Sequence, residues 1–538
     1  MNGAQALVKC LEAEKVKYVF GYSGVAICPF YDAVYHSNLK TVLIRTEQNA
    51  AHAASGMARL TGKAAVCAVT SGPGATNLIT GIATAFADSI PMICITGQVN
   101  SELIGSDVFQ EADITGAVES FVKYSYLVKD PDDVPRIVKE AFYIANSGRP
   151  GPVLIDFPSD VQNAELKKAF DYPDDVKLRT YKPTVKGNTL QIKKVIKELE
   201  KARKPLICAG GGVHLCNAVP ELMEFVNEYK VPVVSTMMGI GVLPTEHPLY
   251  FGMVGNNGSP AANRAMREAD MIIMLGARVA DRAVNQPEVL TENTVLVHID
   301  VDPAEIGKNA GATIPIVGDA KHILKDMNEY EVDTDTDEWI KELEGYRRDL
   351  KVLRPEHPGY VDPALFVRKL SEKLEDTAVY VADVGQNQIW SCRNHIVRKG
   401  RFLTSGGMGT MGYSIPAAMG AKLASPDRQV VAVCGDGSFQ MSMMELATIM
   451  QYNVDVKIIV MRNNYLGMVR QYEHFSLKDR YMMVDIGTLP KLDDIASAYG
   501  MGYVLIKDMT DVSKKIDQVL KSKGACLCEC LVDPMDLV

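Results

Sequence analysis

Short apolar runs rich in β-branched residues alternate with helix-forming segments along most of this chain, and that alternation limits the fold more than any other feature. A parallel neighbour needs a crossover long enough to hold a helix, so strands that alternate with helices build parallel sheets. Residues 41–45, 65–69 and 91–95 read as strands of a first block, with alanine-rich helices between them. A second block holds strands near 205–208, 231–234, 271–275 and 295–299, and a third near 378–381, 430–433, 457–460 and 526–532. The predicted fold class is α/β, with three domains each built on a mainly parallel sheet flanked by helices. Their expected limits are 1–165, 188–325 and 359–538. A charged, proline-containing stretch at 163–187 reads as a linker, and the acid-rich run from Asp333 to Glu338 leads into a helix expected to be exposed. Whether the three blocks share one architecture stays open at this level.

The formal net charge of −9 argues against a nucleic-acid partner, which favours a basic face. No apolar run approaches the roughly 18 residues of a membrane span, so no membrane association is expected. The start, Met1-Asn2-Gly3-Ala4-Gln5, has no charged segment followed by an apolar one, and a cytoplasmic protein is the expectation. The eleven cysteines lie mostly in apolar strand-like runs and read as buried reduced thiols. Cys526, Cys528 and Cys530 alternate along one predicted strand. Side chains two apart on a strand stand roughly 6.8 Å apart, too far for thiolates that share a metal, so packing is the expected role.

One segment carries a specific chemical signal. Gly435-Asp436-Gly437-Ser438 directly follows a buried strand and precedes a helix-like run at 443–452. A glycine turn at the carboxyl end of a strand exposes N–H groups, and a helix behind it favours a diphosphate. Asp436 offers a hard anionic oxygen to a magnesium ion, which takes few protein ligands. Asn463 stands at the end of the next strand, 463 − 436 = 27 residues on, and offers a neutral amide oxygen. Tyr465, just beyond, adds a backbone carbonyl as a third metal ligand. A lone Gly-Asp-Gly is an ordinary turn; with Asn463-Asn464 after the following strand it is the signature of thiamine-diphosphate enzymes.

On these residues the chain resembles the thiamine-diphosphate-dependent enzymes and, within them, the acetohydroxyacid synthase catalytic subunits. The resemblance runs through nearly all 538 residues, including Arg45-Thr46-Glu47-Gln48-Asn49, Thr70-Ser71-Gly72-Pro73-Gly74, Gly148-Arg149-Pro150-Gly151-Pro152, Ser405 to Gly412 and Leu466-Gly467-Met468-Val469-Arg470. It implies a pyrimidine-binding, a central and a diphosphate-binding domain, with active sites between subunits of a homodimer or homotetramer. It also implies a carboligase of branched-chain amino acid biosynthesis. Such an enzyme decarboxylates pyruvate and transfers the hydroxyethyl unit to a second 2-ketoacid, giving 2-acetolactate. The cofactors implied are thiamine diphosphate, Mg2+ and FAD, and the family allows for a small regulatory subunit. The alternatives are another carboligase or lyase on this scaffold, such as a sulfoacetaldehyde acetyltransferase or a diketone-cleaving enzyme, and a flavin-dependent pyruvate oxidase. A degenerate homologue is opposed by the presence of Glu47, Asp436 and Asn463.

The resemblance also assigns residues. Glu47 matches the glutamate that promotes the cofactor's imino tautomer, a task suited to a carboxyl whose pKa an apolar site raises. A carboxylate at a helix N-terminus is equally what the helix dipole favours. Gln110 matches a polar residue near the reacting centre, and Arg282 an arginine for the second ketoacid's carboxylate. Met411 and Val469 match the apolar residues that hold the cofactor bent, and Gly385-Gln386-Asn387 the loop that contacts the diphosphate. Gly409, Leu466, Gly467 and Met468 complete that side. Arg149, Gly255, Gly276, Arg278 and Asp300 match the flavin-binding segments.

The pattern departs in places. Asn387 stands where His is usual, Tyr472 where Trp is usual, Ser159 where Lys is usual, and Ser23 and Val25 alter a Pro-Gly-Gly turn. Val25 is expected close to the reacting carbon. The smaller ring of Tyr472 is expected to weaken contact with the extra methyl of 2-ketobutyrate, which favours pyruvate as acceptor. Relatives carry a further tail beyond the position of Val538 that helps to close the site.

Overall fold

The computed structural model describes residues 1–284, 290, 294–348 and 358–538. Among the described residues eighteen strands form three six-stranded sheets, and the strands of each sheet pair in parallel. The first sheet holds β1 (Tyr18–Tyr22), β2 (Lys40–Leu43), β3 (Ala65–Val69), β4 (Met92–Gln98), β5 (Tyr124–Leu127) and β6 (Pro152–Pro158), in the order β2-β1-β3-β4-β6-β5. The second holds β7 (Pro205–Ala209), β8 (Val233–Ser235), β9 (Tyr250–Met253), β10 (Met271–Leu275), β11 (Val295–Asp300) and β12 (Ile314–Val317), in the order β12-β11-β10-β7-β8-β9. The third holds β13 (Val379–Ala382), β14 (Arg401–Thr404), β15 (Val430–Gly435), β16 (Lys457–Arg462), β17 (Gly502–Ile506) and β18 (Cys526–Leu531), in the order β14-β13-β15-β16-β18-β17. Helices cover both faces, so the central strands are buried on each side and read as continuous apolar runs.

The strand order answers the question left open by the alternation. The first and third sheets have the same topology, and the second has a different one. Read from its other edge, the second sheet follows the order typical of dinucleotide-binding folds, whose first strand sits beside the fourth.

The first and third sheets meet through two helices, Glu47–Thr61 and Ser414–Ala424. They pack so closely that a Cβ at Gly56 would lie 2.0 Å from the Ala417 carbonyl oxygen, and one at Gly420 1.9 Å from that of Ala53. Alanine and glycine along both helices therefore fuse the two sheets over one core that also takes in Val379, Ala432 and Leu446.

Three expectations change. The helix Asp337–Arg348 is not an exposed one: Trp339 and Leu343 are buried against the second sheet, and the Trp339 indole donates to the Pro205 carbonyl at 3.1 Å. The charged residues around it hid an amphipathic stripe. The helical run after Gly435 begins at Asp436 itself and is two helices, Asp436–Ser442 and Glu445–Gln451. The sulfurs of Cys528 and Cys530 approach to 3.9 Å, because their side chains converge on one face of β18. Among the described residues no group of three metal-ligating side chains gathers there.

Candidate active site

The carboxyl ends of β15 and β16 lie side by side, with Gly435 in register with Met461. That adjacency brings together two residues far apart in sequence. Asp436 opens its helix and is only 6% exposed. Its two carboxylate oxygens accept from the N–H groups of Gly437 at 3.1 Å and Asn464 at 2.6 Å. Burial pushes its pKa up to about 6, and the two amides act in the opposite direction. Asn463 is also buried; its Oδ1 accepts from the Tyr465 N–H at 3.0 Å and its Nδ2 donates to Gln386 Oε1 at 3.1 Å.

This donor set fits magnesium. One carboxylate and one amide oxygen stand ready, each with a further lone pair, and a hard octahedral ion completes its shell from phosphate and water. Beside them the backbone is kept open. A Cβ at Gly467 would lie 1.9 Å from Gln386 Oε1, so any larger residue there displaces the Gln386 side chain from its bond to Asn463. Met411 Cε stands 3.4 Å from the Cβ position of Gly437. Asn387 is buried and turned into the sheet, its amide donating to the carbonyls of Asp383 at 2.9 Å and Val433 at 3.1 Å.

A cavity of about 810 Å³ runs from this edge to the carboxyl edge of the second sheet. Its first end is lined by Gly385, Gln386, Asn387, Gly409 and Met411, by Gly435 to Ser438, by Asn463, and by Tyr465 to Val469. Its second end is lined by Arg149, Gly276, Arg278, Arg282 and Asp300. Gly255 stands one layer behind: its φ is +109°, and a Cβ there would lie 2.0 Å from the Arg282 carbonyl oxygen. The second end fits a dinucleotide. Gly276 closes β10, and Asp300 at the end of β11 keeps one carboxylate oxygen beyond its bond from the Asp302 N–H, as a ribose hydroxyl requires. Burial pushes the Asp300 pKa up to about 6. Arg149 is already paired with Asp302 at 3.3 Å and Glu305 at 3.0 Å.

Glu47 and Gln110 are not among the residues that line this cavity. They meet at the carboxyl edge of the first sheet, around one turn: Glu47 Oε1 stands 3.3 Å from the Cβ position of Gly74, and the Gln110 backbone packs on Gly72. Glu47 is half-buried and accepts from Asn77 Nδ2 at 3.1 Å. It opens the helix whose far end carries Arg59, paired with Asp88 on the cavity wall. Twelve residues of helix separate the two, about 18 Å at 1.5 Å per residue. The surface around Glu47 is apolar and open, with Val25 86% and Phe109 88% exposed. On the third domain, Tyr472 is 62% exposed, and Met408 and Val469 are exposed as well. Ser159 spends its hydroxyl on Asn100 Oδ1 at 2.7 Å. The final residues lie back over the site: the Asp536 carbonyl accepts from Gln386 Nε2 at 2.9 Å, and Val538 exchanges two bonds of 2.9 Å with the Gln471 amide.

Several site residues carry no motif. Asp383, fully buried, accepts from the N–H groups of Gly412 and Ser414 and so fixes the turn that carries Met411; burial raises its pKa. Asp88 accepts from Gly407 N–H at 2.7 Å. Gly211 and Gly212, after β7, also line the cavity; the sequence reading passed over them, although glycines directly after a strand are the signal that would have marked them.

Comparison with known proteins agrees with this geometry. Family profiles for thiamine pyrophosphate enzymes match in chain order: the N-terminal TPP binding domain over residues 1–117, the central domain over 192–327, and the C-terminal TPP binding domain over 383–530. The chain is 42% identical to a probable acetolactate synthase large subunit of Methanocaldococcus jannaschii, across 100% of this chain and 93% of that protein. It is 40% identical to the acetolactate synthase large subunit of Haemophilus influenzae, across 97% and 93%, and 39% identical to that of Lactococcus lactis, across 100% and 93%. With three thiamine pyrophosphate domains in that order and full-length identity at this level, the chain belongs to the acetolactate synthase large-subunit family of thiamine pyrophosphate enzymes.

Proposed function

We propose that this protein decarboxylates pyruvate and joins the remaining two-carbon unit to a second 2-ketoacid, giving 2-acetolactate. The observation that carries the reading is the buried pair Asp436 and Asn463 at adjacent strand ends, opening on the cavity in a chain of this family. When bound, thiamine diphosphate supplies the nucleophilic carbon that the reaction needs.

Asp436, Asn463 and the Tyr465 carbonyl would hold Mg2+, and Gly435, Gly437, Ser438, Gly385, Gln386 and Gly467 would frame the diphosphate. Asn387 serves through its backbone, since its amide is committed to two carbonyls. Met411 and Val469, which line the cavity, would supply the apolar contacts that set the bound cofactor's conformation. Glu47 would hold a proton at the pyrimidine ring, Gln110 would face the reacting centre, and Arg282 would receive the acceptor's carboxylate. Gly276, Arg278, Asp300 and Arg149, at the far end of the cavity, would hold FAD.

Glu47 and the cradle belong to different edges of one chain, so the working site joins Glu47 of one subunit to Asp436 of another. The exposed apolar surfaces around Val25 and Tyr472 support a homodimer as the minimum assembly. A small regulatory subunit is a further partner, in line with relatives named as large subunits.

Product analysis tests the reaction. Purified protein with pyruvate, thiamine diphosphate and Mg2+ should release acetolactate, and Glu47→Gln should lose most of it, on the order of 100-fold or more. Well-folded, cofactor-loaded protein that makes no acetolactate would move the assignment to another carboligase or lyase.

A further inference from the structure

Glu47 is held by one side-chain bond, from Asn77 Nδ2, and is otherwise half-open. Its position therefore depends on the backbone of the turn between β2 and its helix. The turn has one backbone bond of its own, from the Asn49 N–H to the Thr46 carbonyl at 3.0 Å, but Thr46, in an extended conformation, adds no side-chain bond to the first turn. A side-chain acceptor comes instead from the third domain. Glu445, 0% exposed, places Oε1 at 2.9 Å from the Arg45 N–H and 3.1 Å from Asn49 Nδ2.

The same helix face adds further grips. Tyr452 accepts the Leu43 N–H at 2.9 Å, and Gln451 Oε1 accepts from the Arg45 guanidinium at 2.6 Å. Thr448 Oγ1 lies 2.7 Å from Glu445 Oε2 and 3.1 Å from the Leu43 carbonyl, tying the carboxylate to the strand end. Burial raises the Glu445 pKa, so keeping a carboxyl here is costly. Its neutral donors lie on either side of Glu47, at residues 45 and 49, and its charge faces the start of the helix that Glu47 opens.

We propose that Glu445 is the positioning residue for the activating carboxylate: it reaches from the diphosphate-binding domain and clamps the Arg45–Asn49 turn so that Glu47 is held at the height its cofactor contact requires. The inference rests on the reading of Glu47 given above. Misplacing an acting group by about 1 Å costs on the order of 100-fold in rate.

The test measures hydrogen–deuterium exchange at the thiazolium C2 of bound thiamine diphosphate, by rapid quench and NMR, with the cofactor's Kd and the thermal midpoint recorded in parallel. Glu445→Gln keeps the acceptor for the Arg45 N–H and should exchange within about threefold of wild type. Glu445→Asp keeps the charge but withdraws the acceptor by one methylene and should be slower. Glu445→Ala should be slowest, by about 100-fold, with the Kd little changed. Wild-type exchange in Glu445→Ala overturns the clamp, as does a Gln variant as slow as Ala. If Ala does not fold, the Gln and Asp variants decide by the same order. Glu47→Gln runs beside them: unimpaired exchange there overturns the role of Glu47 itself, whereas loss in Glu47→Gln without loss in Glu445→Ala overturns only the clamp.

Discussion

The first and third sheets share one strand order and use the same edge, yet they finish it differently. The third closes its edge: Asp436 and Asn463 are buried, bonded to backbone and to Gln386, and framed by glycines that touch their neighbours. The first leaves its edge open, with Glu47 half-exposed and Val25 and Phe109 uncovered. The same topology thus supplies a closed, bonded cradle in one half and an open surface around Glu47 in the other.

The comparison divides binding from activation, and variants can break it. Asp436→Ala should weaken Mg2+-dependent thiamine diphosphate binding by more than about 100-fold, because it removes the only carboxylate of the donor set. Glu47→Gln should leave that binding within a few fold. Titration by fluorescence quenching checks both; equal weakening would mean the two edges share the binding task.

A smaller effect concerns the stability of the open edge. Asp156 lies within β6, buried, accepting from Thr96 at 2.7 Å and from Gln98 at 3.0 Å, and Gln98 also donates to the Ala112 carbonyl near Gln110. Burial raises its pKa to about 7. A carboxyl raised in the folded state binds its proton more tightly there than in the unfolded chain. Its contribution is therefore fully present below the usual carboxylate pKa and is lost as pH rises to about 7, by at most about 4 kcal/mol. Asp156→Asn should flatten the decline of thermal stability between about pH 4 and 7. An unchanged slope would assign the decline to other groups.

The smallest expected effect is on acceptor choice. Tyr472→Trp adds apolar surface beside the site and should shift competition between pyruvate and 2-ketobutyrate toward 2-ketobutyrate by roughly 10-fold, the value of about one methylene. No shift would place Tyr472 outside the acceptor pocket.

The sheets and the cradle were legible in the sequence for local reasons. Alternating apolar runs specify strands, and Asp436 and Asn463 each follow one, so neighbouring strands must bring them together. Strand order was not legible, since it depends on which runs pair, and the duplication of the first topology in the third went unseen. Asp383, Asp88 and Glu445 were also missed. Each is a lone carboxylate that takes at least one backbone N–H from a segment distant in sequence, and the bond between Arg45 and Glu445 spans 400 residues. The Asp337–Arg348 helix misled because its charged residues outnumber the few, such as Trp339 and Leu343, that bury it.

The claim that the two edges act together across chains is tested most directly by complementation. Glu47→Gln and Asp436→Ala protomers, each inactive alone, are co-expressed with different tags, and the mixed species is purified by both. A twofold dimer then holds one doubly defective site and one intact site, so the mixed dimer should recover about half of wild-type acetolactate formation. Mixed dimers as inactive as either parent would contradict the account and return Glu47 and Asp436 to the same chain's site.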